Sequence, residues 1–269
     1  MMATVLLFCI VISGWLLCIR QWERQFPAGL QLARRYAHRG LWDSHHPENS
    51  LSAFRQAWKM GCAVELDVQL TLDGQVVVFH DGDTRRMCSR SLSIARSRWE
   101  ELQELTLLDS CERIPTLQQV LASWDGHHPL LVEIKNSPQL RLLCQKVQQL
   151  MAHTGHPWAV ESFHPWAVRY FRRHAPDVPR GQLVPDKLRP RSSLLRHMGN
   201  VILRSMAYIP WGRPHFLAVS PRTLSSLPLR LMGRRRPPVL IWTVRSPDAE
   251  KHALRQCQGV IFEGYREKP

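Results

Sequence analysis

The chain has 269 residues, of which 44% are hydrophobic, and its formal net charge is +14. This length fits a single α/β barrel, which commonly takes about 250 residues, and this apolar fraction excludes a disordered chain. The charge predicts an anionic partner, and a membrane surface, an acidic substrate and nucleic acid all stay open. The seven cysteines include no C-x-x-C pair. Their dispersal argues against a disulfide framework and against a zinc site.

The N-terminal stretch at residues 3–19 is apolar and uncharged. Its length is close to the shortest that spans a bilayer as a helix. No basic residue precedes the stretch and no small-residue cleavage site follows, so residues 1–20 are predicted to be a retained transmembrane anchor, a hydrophobic helix that holds the protein at the membrane. A cleaved signal peptide, with a periplasmic or secreted domain, is the alternative. Residues 21–34 are the predicted juxtamembrane linker. Four arginines after the run place the following domain on the cytoplasmic side of the membrane by the positive-inside rule: Arg20, Arg24, Arg34 and Arg35.

The remainder, residues 35–269, alternates strand-like and helix-like stretches, which favours an α/β barrel. Nine stretches are strand-like, one more than a barrel of eight needs, and the sequence does not select the surplus one. Only LTLDGQ separates the second strand, AVELDVQL, from QVVVFH. That connection is too short for a crossover helix, so we predict an irregular (β/α)8 TIM barrel.

Two details of the helices are also predicted. Asn49 or Ser50 is expected to cap the helix after the first strand, and Ser137-Pro138 to start the helix after LLVEIK. Residues 185–214 interrupt the alternation with bulky apolar residues and arginines. They are predicted either to lie in a membrane interface as an amphipathic helix or to pack on the barrel as an ordinary one.

Three carboxylates are the candidate metal ligands. Glu65 and Asp67 alternate with apolar residues, so their side chains point to the same face of the second strand. Together with Glu133 from a later strand they offer hard oxygen ligands, which suit Mg²⁺ or Ca²⁺ rather than zinc. A salt bridge to Arg39 or Lys135 is the alternative role for any single one of them.

Two histidines are the candidate acid–base pair, because imidazole titrates nearest to neutrality. His38 and His80 each end a strand close to the carboxylates. His45-His46 and His127-His128 lie in loops and are expected to face solvent without a role. Asn49 could orient the site, but helix capping is the expected task.

These residues belong to an ordered set of motifs that resembles the glycerophosphodiester phosphodiesterase family, whose barrel is of the phospholipase-C-like type. The resemblance covers roughly residues 34–264. It implies that one histidine is the general base and the other the general acid, and that Arg39 and Lys135 hold the phosphate. It also implies that Trp242 lines the pocket. The motifs are His38-Arg39-Gly40, Pro47-Glu48-Asn49-Ser50, Glu65-Leu66-Asp67-Val68, His80-Asp81, Glu133-Ile134-Lys135 and Trp242-Thr243-Val244.

The end of the chain departs from that pattern. Arg245 stands where the family tends to have Asn, and GVIFEGYREKP replaces a GIITDxP-like ending. Neither change is expected to touch the metal ligands or the histidines. Late loops line the mouth of a barrel, so the departures are expected to affect substrate selection alone.

The resulting expectation is a metal-dependent phosphodiesterase that cleaves a glycerophosphodiester to glycerol 3-phosphate and an alcohol. The N-terminal segment and residues 185–214 raise an alternative, a lysophospholipase-D-type hydrolysis of a lysolipid at the membrane. A non-catalytic, basic, membrane-bound binding protein is an alternative of another class, and it predicts a damaged site. Nucleic acid is not expected as a partner, because the aromatic residues fall within strand and helix stripes rather than beside basic patches.

Overall fold

The computed structural model describes residues 13–15, 17, 32–186, 205–233 and 236–266. Eight parallel strands close into a barrel, and the predicted fold is confirmed. Each strand pairs in parallel with its two neighbours, and the first strand pairs with the last. In barrel order they are β1 (Arg35–His38), β2 (Ala63–Leu70), β4 (Leu130–Ile134), β5 (Trp158–Ser162), β6 (Arg180–Leu183), β7 (Phe216–Val219), β8 (Val239–Val244) and β9 (Gly259–Phe262).

The surplus strand is β3 (Val76–Val78), which pairs antiparallel with the end of β2 and lies outside the barrel. Gly74 makes the connecting turn with a φ of +81° and donates its N–H to the Thr71 carbonyl at 3.0 Å. This hairpin is the irregularity that the short connection predicted. The strand after it in the barrel is β4, which pairs directly with β2.

The described helices surround the barrel, and most of them begin at a capping residue. Ser50 caps α1 by accepting a hydrogen bond from the Ala53 N–H, so the alternative of Asn49 as the cap is wrong. The helices are α1 (Leu51–Lys59), α2 (Trp99–Leu102), α3 (Leu117–Ser123), α4 (Leu140–Ala152), α5 (Pro165–His174), α6 (Ile209–Gly212), α7 (Pro221–Leu224), α8 (Leu227–Met232) and α9 (Pro247–Leu254).

The predicted start of α4 at Ser137-Pro138 is early. The helix begins at Leu140, and the backbone of Gln139 before it has a φ of −108° and a ψ of +42°. Pro138 and Gln139 therefore form a turn before the helix rather than its first turn. By contrast, α5 does carry Pro165 in its first turn, and the side chain of His164 caps it by accepting from the Trp166 N–H.

The side chains that point into the barrel form two layers, since side chains alternate faces along a strand. The lower layer is apolar and closes the barrel, with Phe216 filling the space beside Gly181, where a Cβ would lie 2.1 Å from the Phe216 ring. Two residues further along β1, β2, β4 and β5, and directly after β9, the inward positions are polar: His38, Glu65, Glu133, Glu161 and Glu263. The apolar layer consists of Tyr36, Ala63, Leu131, Ala159, Leu183, Phe216, Ala218, Leu240 and Ile261.

The predicted N-terminal helix and linker, and residues 187–204 of the predicted insert, lie outside the described residues apart from a few positions. None of the helices within the described ranges is long and apolar enough to cross a bilayer. The described end of the insert packs on the barrel, where the ring of Trp211 in α6 lies 4.4 Å from that of Trp166 in α5.

Candidate active site

A cavity of about 330 Å³ opens at the carboxyl ends of the barrel strands, directly above the apolar layer. The strand register sets its walls. His38 pairs with Glu65, Asp67 pairs with Glu133, and Glu133 pairs with Glu161. Parallel pairing therefore brings these side chains next to one another at this end of the barrel. All eight residues predicted for the site except Asp67 line the cavity: His38, Arg39, Glu65, His80, Glu133, Lys135 and Trp242.

Glu65, Asp67 and Glu133 come together as predicted. One carboxylate oxygen from each lies within 4.8 Å of the others, and all three residues are buried. Burial raises the pKa of Glu65 well above its ordinary value, and the charges of Asp67 and Glu133 add to that effect. Burial also raises the pKa of Glu133 to about 7, although Lys135 opposes the shift. The site therefore holds more negative charge than its surroundings stabilise.

Two cations offset part of this charge. The Nζ of Lys135 lies 2.9 Å from Glu133 and 3.1 Å from Asp67, and the Arg39 guanidinium lies 3.3 Å from Asp67. Burial favours the neutral form of Asp67, but Lys135, His80 and Arg39 outweigh it and hold its pKa far below the ordinary value. The salt bridges considered as an alternative for the acids are therefore present. They coexist with the three-carboxylate cluster rather than replace it.

Backbone geometry at the end of β1 explains why Gly follows His38-Arg39. Gly40 has a φ of +81°, and a Cβ there would lie 2.8–2.9 Å from Ala53 and 2.9 Å from the Phe54 ring. Only glycine allows α1 to pack this closely on the turn. Arg39 itself has a φ of +59° and donates its N–H to Glu65 at 3.0 Å.

Asn49 orients the site instead of capping the helix, which corrects the expectation. Its amide donates to Asp67 Oδ2 at 2.8 Å, and its Oδ1 accepts from the Asp67 N–H at 3.3 Å. Its φ of +57° is a left-handed conformation that asparagine tolerates better than most residues. The two hydrogen bonds therefore fix both the side chain and the backbone of Asp67, a buried candidate metal ligand.

Sequence reasoning missed a fourth carboxylate. Glu161 is 1% exposed, faces the cavity from β5, and its Oε2 has no hydrogen-bond partner among the described residues. Burial raises its pKa well above the ordinary value, and Glu133 and Asp67 raise it further. Glu161 lies two residues after the inward-facing Ala159, so strand alternation turns it into the barrel as well. The sequence alone does not show that it lies beside Glu133, because this depends on the register between β4 and β5.

Each candidate histidine donates from Nδ1 to an acid outside the cluster. His38 Nδ1 lies 2.5 Å from Glu263, and His80 Nδ1 lies 2.7 Å from Asp81. Burial lowers the pKa of His80, and the charges of Lys135 and Arg39 lower it too, although Asp67 raises it. The two rings face the cavity from β1 and from the segment after β3.

Glu263 also contacts Arg245, at 2.7 Å. The expectation that the departures at the chain end touch neither histidine is therefore wrong, because the acid of the altered ending contacts His38. The physical reason is that β9 lies next to β1, so the end of β9 reaches the end of β1.

The cluster fits a divalent cation of the hard, oxygen-preferring kind. Among the described residues, Arg39 and Lys135 are the lysine and arginine side chains that pair with these four buried carboxylates, two positive charges against four negative ones. Three of these carboxylates have raised pKa values, which is the response of acids that lack a counter-charge. Oxygen-only ligands are the set that Mg²⁺ and Ca²⁺ take in proteins.

Known proteins share both the sequence and the fold. A sequence profile of the Glycerophosphoryl diester phosphodiesterase family matches residues 38–263. YhdW of Bacillus subtilis (strain 168), provisionally named a glycerophosphodiester phosphodiesterase, is 31% identical over 234 residues, which cover 83% of this chain and 90% of YhdW.

Two solved structures illustrate the shared barrel. An Oleispira antarctica phosphodiesterase in complex with the product sn-glycerol-3-phosphate matches with a TM-score of 0.72 at 21% identity, covering 86% of this chain and 93% of that one. The glycerophosphodiester phosphodiesterase of Thermotoga maritima matches with a TM-score of 0.66 at 24% identity, covering 87% and 95%. At these identities the structures show the fold.

Proposed function

This chain belongs to the glycerophosphoryl diester phosphodiesterase family, and on that premise we propose a specific reaction and site for it. The reaction is hydrolysis of a glycerophosphodiester: water is consumed, the bond between phosphorus and the alcohol oxygen breaks, and glycerol 3-phosphate and the free alcohol are released. The single observation that carries the proposal is the buried cluster of Glu65, Asp67 and Glu133 beside a cavity that His38 and His80 both line.

A divalent cation, Mg²⁺ or Ca²⁺, would be held by Glu65, Asp67 and Glu133. When bound, such an ion supplies positive charge to the phosphoryl oxygens and lowers the cost of the charge that develops there. The chain's own contribution is to supply three carboxylates that are already close together, with Asn49 and the Arg39 N–H holding two of them in place.

Arg39 and Lys135 are the proposed phosphate-binding residues. Both reach the cavity from strand ends, and their side chains are 15% and 17% exposed. In the absence of substrate they pair with the acids of the cluster. A cation bound at the cluster would neutralise those acids and leave the two side chains available to a substrate phosphate, for which Arg offers a bidentate fork and Lys a point charge.

His38 and His80 are the proposed acid–base pair. With Nδ1 of each ring occupied by a carboxylate, Nε2 is the atom that can accept or give a proton in the cavity. One ring takes the proton from the attacking nucleophile while the other gives a proton to the leaving alkoxide, so the pair ends the step with its protonation states exchanged. Trp242, whose ring meets that of Phe163 edge to face at 5.6 Å, forms the apolar wall.

Cation affinity is expected to depend on pH with a defined sign. The pKa of Glu133 is about 7 in the folded protein against an ordinary value of 4.5, so without a cation the folded state binds a proton that the unfolded chain has released. That contribution to stability is fully present below pH 4.5 and is lost as the pH rises through 7. A cation must displace the same proton, so its affinity should rise by at least roughly tenfold per pH unit below about pH 7, and Glu65, whose pKa is also raised, adds to this dependence.

Isothermal titration with Mg²⁺ and Ca²⁺ between pH 5 and pH 8 measures this dependence. The matched control is Glu133→Gln, in which the titrating carboxyl is absent and the slope should become shallower. An affinity that is independent of pH in the wild type would contradict the raised pKa as the reason for the effect.

A lysophospholipid is the second candidate substrate, and a second cavity favours it. This cavity, of about 620 Å³, shares Thr243 and Arg245 with the catalytic cavity. Much of its lining is apolar, which would suit an acyl chain whose phosphate lies in the catalytic cavity. The apolar lining residues are Pro221, Leu224, Ile241, Val244, Ala249 and Ala253.

Turnover of three substrates by the purified chain in detergent discriminates these functions: glycerophosphocholine, glycerophosphoethanolamine and a lysophospholipid. Release of glycerol 3-phosphate from the first two alone supports the leading proposal. Preference for the lysophospholipid, reduced by Leu224→Arg in the second cavity with glycerophosphocholine turnover unchanged, supports the alternative. The predicted membrane anchor would then have a physical reason, since the substrate resides in the bilayer.

A further inference from the structure

A continuous chain of polar side chains runs along one wall of the catalytic cavity, from solvent to the ring of His38. Glu263 Oε1 accepts from Arg245 Nε at 2.8 Å and lies 2.7 Å from its Nη2. Glu263 Oε2 lies 2.5 Å from His38 Nδ1. The Arg245 side chain is 70% exposed, whereas those of Glu263 and His38 are 14% and 15% exposed. Glu263 thus connects the exposed guanidinium of Arg245 to the largely buried imidazole of His38.

The backbone brings these three residues together. The Glu263 N–H donates to the Val244 carbonyl at 2.9 Å, which places residue 263 beside Arg245. The next strand around the barrel is β1, whose last residue is His38. The contact therefore follows from the closure of the barrel.

The hydrogen bond also determines which ring nitrogen carries the proton. Burial favours the neutral form of Glu263, but the hydrogen bond with His38 and the charge of Arg245 outweigh it and lower its pKa to about 2. An ionised carboxylate can only accept hydrogen bonds, so the proton lies on His38 Nδ1. Nε2 is left facing the cluster, 4.0 Å from Glu65 Oε2.

We propose that Glu263 is a positioning residue that fixes the ring orientation and the Nδ1–H tautomer of His38, and that Arg245 holds Glu263 in place. The catalytic part of this inference rests on the proposed function, since it requires His38 to transfer a proton. The orientation and the tautomer are properties of the free protein and do not depend on the substrate.

The second histidine has a matching arrangement, which supports the interpretation. His80 Nδ1 lies 2.7 Å from Asp81 Oδ1, and Asp81 Oδ2 accepts from Arg86 Nε at 2.6 Å. Each histidine is thus bonded at Nδ1 by a carboxylate that is itself paired with a half-exposed or exposed arginine. Two unrelated segments of the chain build the same arginine–carboxylate–imidazole order around one cavity. A carboxylate in this position keeps an imidazole in one tautomer and orientation.

The test combines the tautomer of the free protein with steady-state kinetics. In protein labelled with ¹⁵N-histidine, and with the ring signals assigned through His38→Gln, we expect wild-type His38 to show the Nδ1–H tautomer. Glu263→Ala removes the acceptor and should shift the ring toward the Nε2–H form. The same variant should lower kcat by roughly 10- to 100-fold or more with little change in KM, because that range is what removing the partner that orients a metal-bound histidine costs and a wrong tautomer of an acid–base histidine costs more. Glu263→Asp should recover most of the loss.

Arg245 supplies the second part of the test and an exposed variant that should fold normally. Arg245→Ala should lower kcat less than Glu263→Ala does, and the double variant should be no worse than Glu263→Ala alone, because Arg245 acts through Glu263. Arg113→Ala, which removes an exposed arginine paired with Glu104 at 3.1 Å, is the matched control and should leave kcat unchanged.

Two results would overturn the proposal. Persistence of the same Nδ1–H tautomer and ring signals in Glu263→Ala would show that Glu263 does not set them. A change confined to KM in both single variants would make the pair a substrate contact. If instead the tautomer shifts as expected while no glycerophosphodiester is cleaved by the wild type, the proposed function fails and the positioning role of Glu263 stands.

Discussion

Replacing His38 or His80 with alanine is expected to lower kcat roughly 10²- to 10⁴-fold, the range that a general acid or base contributes. Both rings line the cavity beside the carboxylate cluster, and both present Nε2 to it. Because proton transfer occurs in the transition state, KM for a glycerophosphodiester should change little. The measurement is steady-state release of glycerol 3-phosphate by each variant at saturating cation.

The matched control is His45→Ala, since His45 is exposed and outside the cavity, and it should retain wild-type kcat. Asparagine at position 38 or 80 preserves much of the ring's size without its basicity and should be as inactive as alanine. Wild-type kcat in either alanine variant, with the fold intact by circular dichroism, would remove that histidine from the proposed acid–base pair.

Replacing Glu65 with glutamine is expected to have opposite effects on cation binding and on the stability of the cation-free protein. One of three ligand charges is lost, so Mg²⁺ or Ca²⁺ affinity should fall by about 100-fold or more. The pKa of Glu65 is raised well above its ordinary value by burial and by neighbouring carboxylates, so its charged form is unfavourable when no cation is present. At pH 8 in EDTA the variant should therefore have a higher Tm than the wild type.

Thermal melts with EDTA and with added cation test both effects. Wild-type Tm should rise on adding the cation, because a ligand that binds only the folded state stabilises it, and the rise should be much smaller in Glu65→Gln. Glu104→Gln, in an exposed pair with Arg113, is the control and should behave as the wild type. A Glu65→Gln variant that loses Tm in EDTA and keeps its full response to the cation would contradict a cation site at this cluster.

The site residues that the sequence predicts correctly are those whose side-chain direction follows from the alternation of faces along a strand. Glu65 and Asp67 alternate with apolar residues in one strand, so their common face follows from strand geometry alone. Glu133 and Lys135 repeat the same spacing. Glu161 and Glu263 occupy equivalent inward positions, but each is a single acid after apolar residues. Their importance depends on the register with neighbouring strands, which no local pattern contains.

Two further misses have specific physical reasons. Asn49 and Ser50 are both good capping residues, and the sequence could not show that Asn49 takes a left-handed conformation and turns its amide to Asp67. The sequence shows nine strand-like stretches for eight barrel positions, but only the pairing of β3 with β2 identifies β3 as the surplus one. In both cases a contact between two separate segments decided between locally equivalent alternatives.

The most direct test of the central claim is the release of glycerol 3-phosphate from glycerophosphocholine and glycerophosphoethanolamine by the purified chain, with and without a divalent cation. We predict release that stops in EDTA, returns when Mg²⁺ or Ca²⁺ is restored, and is lost in His38→Ala under every condition. Release that continues unchanged in EDTA, or that persists in His38→Ala, would contradict a cation-dependent histidine mechanism at this site.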